Sequence, residues 1–434
     1  MGALLAFATI LTPSRLLAHA TLIASQPAAN AHLSESPATI HLTFSEEVVP
    51  RLCQIRIVTA TGEKIELSVV GDPHNVRAVS GTPARLGPGS YTVEWRVLSA
   101  DGHPAQGSFP FTIGEPPAPV MTVPTPALPA AQANPDSIVN GGATIAGAPT
   151  LLAALRGAAM VALLGATGLL LLALRGRSTA PNVGARRYCT VLTAAAAIFF
   201  AAHFVGWLIH TAPDQRLTSD WVTAVIQTPP GIVEGLRTLL VLLAAWGLFA
   251  ARRTGLAGVF ALGAVVVSGA AGHSAGATPL LSIPLKAVHL VAVSLWFGGL
   301  LWIVLSRPSD PECMTVARRV SSIALSCVLI IFLTGVAQAL LLAPLPELVT
   351  SAYGLVLGLK TAAFLILIGF GWFNRFRLIP DIGSEECRVR LRASAAREST
   401  LMVVVLLLAG LLAYVPTPHA EAHTAAIQSE IHAQ

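Results

Sequence analysis

Charge is what this chain has least of: only 11% of its 434 residues are Asp, Glu, Lys or Arg, where a globular protein carries about a quarter. Hydrophobic residues make up 54%, and the mean hydropathy is +0.69. The deficit falls after residue 150, where several apolar runs reach the roughly 20 residues that a bilayer crossing requires. One compact soluble core is excluded, and the chain is an integral membrane protein. Cysteine is scarce too. Cys53, Cys189, Cys313, Cys327 and Cys387 form no CxxC and no obvious pair, so no thiolate metal site is encoded. Only Cys53 lies in the region read below as exported, which rules out a disulfide within it. There is no GxxxxGK[ST] and no phosphorylated-Asp loop of the P-type ATPase kind, so nothing here hydrolyses a nucleotide.

A net charge of +5 raises the question of nucleic acid. Residues 19–118, however, hold six Lys/Arg against nine Asp/Glu. The basic excess sits in short loops of the apolar half, as the positive-inside rule expects, and argues against a DNA- or RNA-binding surface.

Residues 1–18, MGALLAFATILTPSRLLA, read as a short signal peptide without the usual basic n-region. Two cleavage sites compete. Cutting after Ala18 leaves His19 at the new N-terminus; cutting after Ala20 uses the better small-x-small pattern and removes it. From 21 to 114 the pattern is that of strands. Ile40, Leu42 and Phe44 alternate, then Ile55 and Ile57, then Tyr91, Val93, Trp95 and Val97, then Phe109, Phe111 and Ile113. Turns fall at Thr61-Gly62, Gly71-Asp72-Pro73 and Leu86-Gly87-Pro88-Gly89. Domain 19–114 is therefore expected to be an all-β Greek-key sandwich of the cupredoxin or immunoglobulin type.

Residues 115–149, rich in Pro and Ala, read as a semi-extended linker. The all-α membrane domain, 150–416, contains eight apolar stretches: 150–174, 189–211, 232–251, 256–276, 281–305, 318–342, 351–373 and 397–415. With the sandwich outside, the inward loops carry Arg175, Arg177, Arg186, Arg187, Arg252, Arg253, Arg307, Arg375, Arg377, Arg388, Arg390 and Arg392. The outward loops carry mainly Asp214, Arg216, Asp220 and Glu347. This asymmetry predicts a multi-pass inner-membrane protein with both ends extracytoplasmic. The tail 417–434, with His419, His423 and His432, would lie on that side.

His19 and the run Asp101-Gly102-His103-Pro104 are the sharpest local signal. A free N-terminal histidine offers its α-amine and a ring nitrogen as a chelate. A second imidazole and a carboxylate complete an N₃O set that suits the tetragonal preference of Cu(II). If the segment is extended, Asp101 and His103 share a face. Taken alone, an Asp-x-His in a loop is more often a solvated turn. The wider sequence adds to it. The opening His-x-x-L, the S-x-P-A-x-x-A segment, the F-S-E strand, the Y-x-V-x-W-R strand and the S-x-D-x-H-P-x-x-G-S motif together closely resemble the CopC family of periplasmic copper-binding β-sandwiches, over nearly all of 19–114. The resemblance implies that His19, Asp101 and His103 are Cu(II) ligands. Some family members also hold Cu(I) on methionines; with none between Met1 and Met121, no such site is expected. His32, His41 and His74 read as surface histidines.

Ionisable groups within spanning segments are functional candidates by default. His203, His210, His273 and His289 all fall in the outer halves of their helices. His203 and His210 are seven residues apart and share a face. Each of the four could line an entry path for copper, or could simply bond a neighbouring helix. SGAAGHSAGA and IPLKAVHLVAVSLWFGGL, with FNRFRLIP and residues 397–416, resemble CopD membrane domains over about 150–416. That resemblance points to His273 and His289, with Trp296, Gly298 and Gly299 as close-packing residues. Lys286 and Lys360 read as snorkelling or paired, and Glu398 as interfacial.

The leading expectation is a non-enzymatic copper protein. Its sandwich takes Cu(II), from a periplasmic donor or directly, and its membrane histidines carry copper inward through the bilayer, in an oxidation state left open. Copper resistance or buffering with a membrane anchor is one alternative. Haem-dependent electron transfer through paired histidines is another. A polysaccharide-attacking copper oxygenase is a third, weakened by the carboxylate that Asp101 would place in the open coordination position.

Overall fold

The computed structural model describes residues 20, 22–99, 102, 104–114, 148–175, 183–212, 217–272, 279–305, 310–342 and 344–415. The chain divides into two compact units, a β-sandwich that takes in the segment 208–229 and a helical bundle. The expected signal peptide, most of the linker and the tail lie outside the described residues.

The sandwich strands are β1 Leu22–Gln26, β2 His32–Leu33, β3 Ile40–Phe44, β4 Gln54–Thr59, β5 Lys64–Leu67, β6 Val69–Gly71, β7 Ala78–Gly81, β8 Gly89–Leu98 and β9 Pro104–Ile113. One sheet has the order β1-β3-β7-β6 and the other β2-β9-β8-β4-β5. The alternation seen in the sequence becomes the inner face: Ile40, Leu42 and Phe44 are buried while His41 and Thr43 are turned half out. Phe44 of the first sheet meets Trp95 of the second edge-on, with ring centroids 5.1 Å apart. Burying an aromatic of this size contributes about 1.5–3 kcal/mol, so such contacts across the sheets hold the domain. Gly107, the register partner of Trp95, lies under the indole. A Cβ there would come 2.5 Å from Trp95 Cζ2, which is why the G-S pair after the Asp-x-His run needs its glycine.

Among the described residues, the bundle has seven helices long and apolar enough to cross a membrane. They are α1 Ala148–Arg175, α2 Val183–Thr211, α4 Pro229–Phe249, α6 Pro279–Leu305, α7 Asp310–Leu342, α9 Ala352–Phe373 and α10 Glu385–Leu412. Between them lie the short α3 Ser219–Ile226, α5 Thr254–Val267 and α8 Leu345–Thr350. The stretch expected as a span at 256–276 is α5 continued by a 3-10 turn to Ala270. At 1.5 Å per residue it reaches about 25 Å, short of the roughly 30 Å hydrocarbon core. α1 starts at Ala148, two residues inside the predicted linker, and α10 starts twelve residues ahead of its apolar run.

Helix starts follow side-chain capping: Ser351 Oγ accepts from Gly354 N–H at 3.1 Å, and Ser384 Oγ accepts from Cys387 N–H at 3.2 Å. The helices close on small residues. A Cβ on Gly298 of α6 would lie 2.4 Å from the Gly168 carbonyl carbon of α1, and one on Gly410 of α10 would lie 2.8 Å from Gly157 Cα of α1. Backbones approach this closely only where side chains are missing. Outer faces stay apolar, as at Leu325, Leu329, Phe332 and Leu333, the chemistry of a lipid-facing surface.

Candidate functional site

In the sandwich, His19, Asp101 and His103 lie outside the described residues. Their surroundings are described. Ser99 is fully buried and bridges Val48, just beyond the end of β8. Gly102 N–H donates to Ser99 O at 2.9 Å, and Gly102 has φ +92°. That left-handed backbone favours glycine. Gly102 is thus held by a bond back to Ser99, while Asp101 and His103 on either side of it lie outside the described residues. Ala20, one residue after His19, is 1% exposed in the sandwich core.

Cys53 is buried and donates Sγ–H to Val49 O at 3.2 Å. Burial pushes its thiol up to about 12, so it stays protonated, in line with the absence of a thiolate site. Among the other sandwich histidines, His41 Nδ1 is 2.9 Å from Ser80 Oγ; His32 bonds Thr112 Oγ1 across the β2–β9 pair.

The bundle holds a buried ionic cluster assembled from four segments. Glu234 and Arg237, one helical turn apart on α4, form an ion pair between Glu234 Oε2 and Arg237 Nη2. Arg156 Nη1 of α1 lies 3.9 Å from Glu234 Oε1, and His203 Nδ1 of α2 lies 3.4 Å from Oε2. His203 Nε2 is 2.7 Å from the hydroxyl of Tyr414, just past α10. Nδ1 reaches the carboxylate without forming a hydrogen bond, while Nε2 and the Tyr414 hydroxyl form one. The Arg237 guanidinium stacks 4.4 Å from the Phe200 ring centroid. Its Nε and Nη1 have no hydrogen-bond partner among the described residues. Two arginines thus face one carboxylate.

On α6, Lys286 Nζ donates to Ala271 O at 2.5 Å. His289 Nδ1 lies 2.9 Å from Thr334 Oγ1 of α7, and Thr334 gives its own proton to Ile330 O at 2.6 Å. With the Thr334 proton on Ile330 O, Nδ1–H of His289 donates to Thr334 and Nε2 keeps its lone pair. That is the tautomer in which imidazole binds a metal.

A second polar centre surrounds Glu398 of α10. Trp296 Nε1–H of α6 donates to Oε1 at 3.1 Å, and Asn374 Nδ2–H donates to Oε2 at 2.9 Å. Asn374 opens a π-helical turn, Asn374–Leu378, that follows α9. Glu398 is 1% exposed, covered by its neighbours at whatever depth α10 sets it.

The predicted membrane residues thus have different settings. His203 sits in the ionic cluster, His210 is half-buried near the end of α2, His289 bonds Thr334, and His273 lies outside the described residues. Among the described residues, no group of three or more His, Cys, Asp or Glu is arranged to hold a metal. Sequence reasoning did not single out Arg156, Glu234, Arg237 or Tyr414. The signal was present as Glu234-x-x-Arg237, an i,i+3 pair of opposite charges inside an apolar run.

Residues 22–114 match the CopC domain, and residues 314–412 match copper resistance protein D, CopD. The CopD match is narrower than the resemblance over about 150–416: it covers most of α7, with α9 and α10, and stops short of both Glu234 and His289. Copper transport protein CutJ of Bacillus subtilis is 24% identical over 94% of this chain and 76% of its own length. Copper resistance protein C of Xanthomonas campestris pv. juglandis is 31% identical over 24% of this chain and 88% of its own. The crystal structure of CopC from Methylosinus trichosporium OB3b is 34% identical, covers 22% of this chain and 93% of that one, and superposes with a TM-score of 0.21. A CopC sandwich followed by a CopD-matching membrane region makes the chain a CopC/CopD fusion, a member of the copper transport and resistance proteins.

Proposed function

We propose that the protein captures Cu(II) on an extracytoplasmic sandwich and passes it to bundle histidines, which carry copper across the inner membrane. The observation that carries this reading is the match to CutJ, named a copper transport protein, because it runs through sandwich and bundle together. In the sandwich, the α-amine and imidazole of His19, the Asp101 carboxylate and the His103 imidazole hold Cu(II). The burial of Ala20 supports cleavage after Ala18, since cutting after Ala20 would remove a residue packed in the core. In the bundle, His203, His210, His273 and His289 form the path. His289 is the best prepared, with Thr334 orienting its ring. His203 binds copper only when the Tyr414 hydroxyl moves aside. A periplasmic donor loads the sandwich, and both chain ends face that side, with α5 and its 3-10 turn making the eighth crossing where the bilayer thins around it.

The test uses full-length protein purified from membranes and given one equivalent of Cu(II). A mature chain starting at His19 with one copper retained is the expected result. A chain starting at Thr21 with no copper retained overturns the sandwich site. Copper accumulation in cells expressing wild type, His273→Ala or His289→Ala reads the membrane path, and equal accumulation in all three overturns it. The relative named for copper resistance favours a second reading, a membrane-anchored copper buffer. In that case, expression would raise copper tolerance without raising cytoplasmic copper.

A further inference from the structure

Among the described residues, Glu398 has no cation partner. Its two oxygens accept from Trp296 Nε1–H and Asn374 Nδ2–H, and no Lys, Arg or His lies within ion-pair distance among the described residues. Charged and titratable groups on the elements packed against it are placed elsewhere. On α6, His289 and Lys286 precede Trp296 by seven and ten residues, about 10 and 15 Å along the axis. On α9, Lys360 lies fourteen residues before Asn374, about 20 Å away along the axis, and Tyr353 lies further still. Arg375, next to Asn374, donates instead to Ser321 O and Oγ at 3.1 and 3.0 Å. Arg377 lies beyond it on the π turn. On α1, Arg156 faces Glu234. On α10 itself, Arg392 is half-exposed and Arg397 exposed.

An ionised carboxylate held in an apolar bundle without a counter-charge costs several kcal/mol, and a neutral acid far less. Two ligands could relieve the charge, a proton or a metal cation. A hard cation needs about six oxygen ligands. Here both carboxylate oxygens already face N–H hydrogens, which repel a cation. A proton needs only one acceptor for the new O–H. Two buried oxygens close by in the fold have no partner among the described residues: Asn374 Oδ1, on the amide that already bonds Glu398, and Ser394 Oγ, one helical turn earlier on α10. The π turn at Asn374 gives the site a further mark, since such turns occur frequently at functional positions.

We propose that Glu398 is a proton-binding site of the membrane domain, and that proton exchange on it accompanies copper movement, a link that rests on the transport reading above. The step is a simple protonation. Glu398 COO⁻ takes H⁺ from water on the side of the bundle carrying Arg375 and Arg377, forming COOH with its O–H turned to a buried oxygen, and later returns the same proton.

Infrared difference spectroscopy on the full chain in lipid nanodiscs reads the protonation directly. At near-neutral pH, wild type should show a carboxylic-acid C=O band that is missing from Glu398→Gln and kept in Glu234→Gln. The same spectrum for all three overturns the proposal. Loss of the wild-type band on adding sodium, at constant pH, also overturns it by making the ligand a metal cation. The amide variant is nearly isosteric; Glu398→Asp, expected to keep a shifted band, guards against misfolding. A second arm reads coupling. In proteoliposomes, an imposed pH gradient should change the rate of copper uptake in wild type several-fold, and Glu398→Gln should lose that response. An unaltered response overturns the coupling. If no copper moves in any sample, the transport reading fails while the infrared result still decides whether Glu398 binds a proton.

Discussion

Glu234 and Glu398 are both nearly fully buried, at 6% and 1% exposure, yet the bundle handles them in opposite ways. Glu234 is surrounded by Arg237, Arg156 and His203, so its charge is over-compensated and its neighbourhood is net positive. Among the described residues, Glu398 meets only the neutral donors of Trp296 and Asn374. Burial alone therefore does not say what an intramembrane carboxylate does. An ion-paired one locks helices together, because removing either charge strands the other. One held by neutral donors can lose its charge without stranding anything.

The most severe way to break that comparison is to neutralise each acid in turn. Glu234→Gln leaves two arginines without a counter-charge and should cost about 3–5 kcal/mol. This would be read as a large fall in the thermal midpoint in nanodiscs, whereas Glu398→Gln should cost under about 1 kcal/mol. Equal losses would end the distinction.

Next comes the contact that ties the two centres together, since α1 carries Arg156 and α6 carries Trp296. Gly298→Leu drives a side chain into the Gly168 backbone and should cost about 1–3 kcal/mol or more. Gly358→Ala, where an added Cβ meets nothing within 4 Å, should leave the same melting curve unmoved. A smaller effect is expected of Tyr414→Phe, which removes the hydroxyl from His203 Nε2; about 1 kcal/mol is expected.

The smallest effect sharpens the contrast from the sandwich side, where the buried ionisable group is a neutral thiol. The Cys53 thiol is raised from 9.0 to about 12. Its stabilising contribution is therefore complete below about pH 9 and is lost as pH rises toward about 12. At mildly alkaline pH, Cys53 should alkylate much more slowly in the native chain than in denaturant. Equal rates would mean the thiol is not held in the core.

Much of the fold was legible because it depends on local period. Ile40, Leu42 and Phe44 alternate in the sequence and alternate in burial. The apolar runs became helices, except that 256–276 stopped short where a 3-10 turn and the left-handed Gly272 end α5. The expected copper site was legible only as chemistry, in the donor types of His19, Asp101 and His103. That Trp296 and Asn374 cover Glu398 was not legible, because hydropathy counts position along a helix and ignores which neighbours pack against it.

What the sequence determined by itself was the division into a β-sandwich and a membrane bundle, together with the supply of copper-type donors. A twenty-residue apolar run and a two-residue alternation each have one stable solution regardless of what lies elsewhere in the chain. Only the tertiary structure decided which charges meet. Arg156, His203, Glu234 and Tyr414 come from four segments far apart in sequence, and α1 and α6 close on Gly168 and Gly298. Helix–helix approach is set by the fit of small-residue faces, and that fit is a property of pairs of surfaces that no single helix carries in its own period.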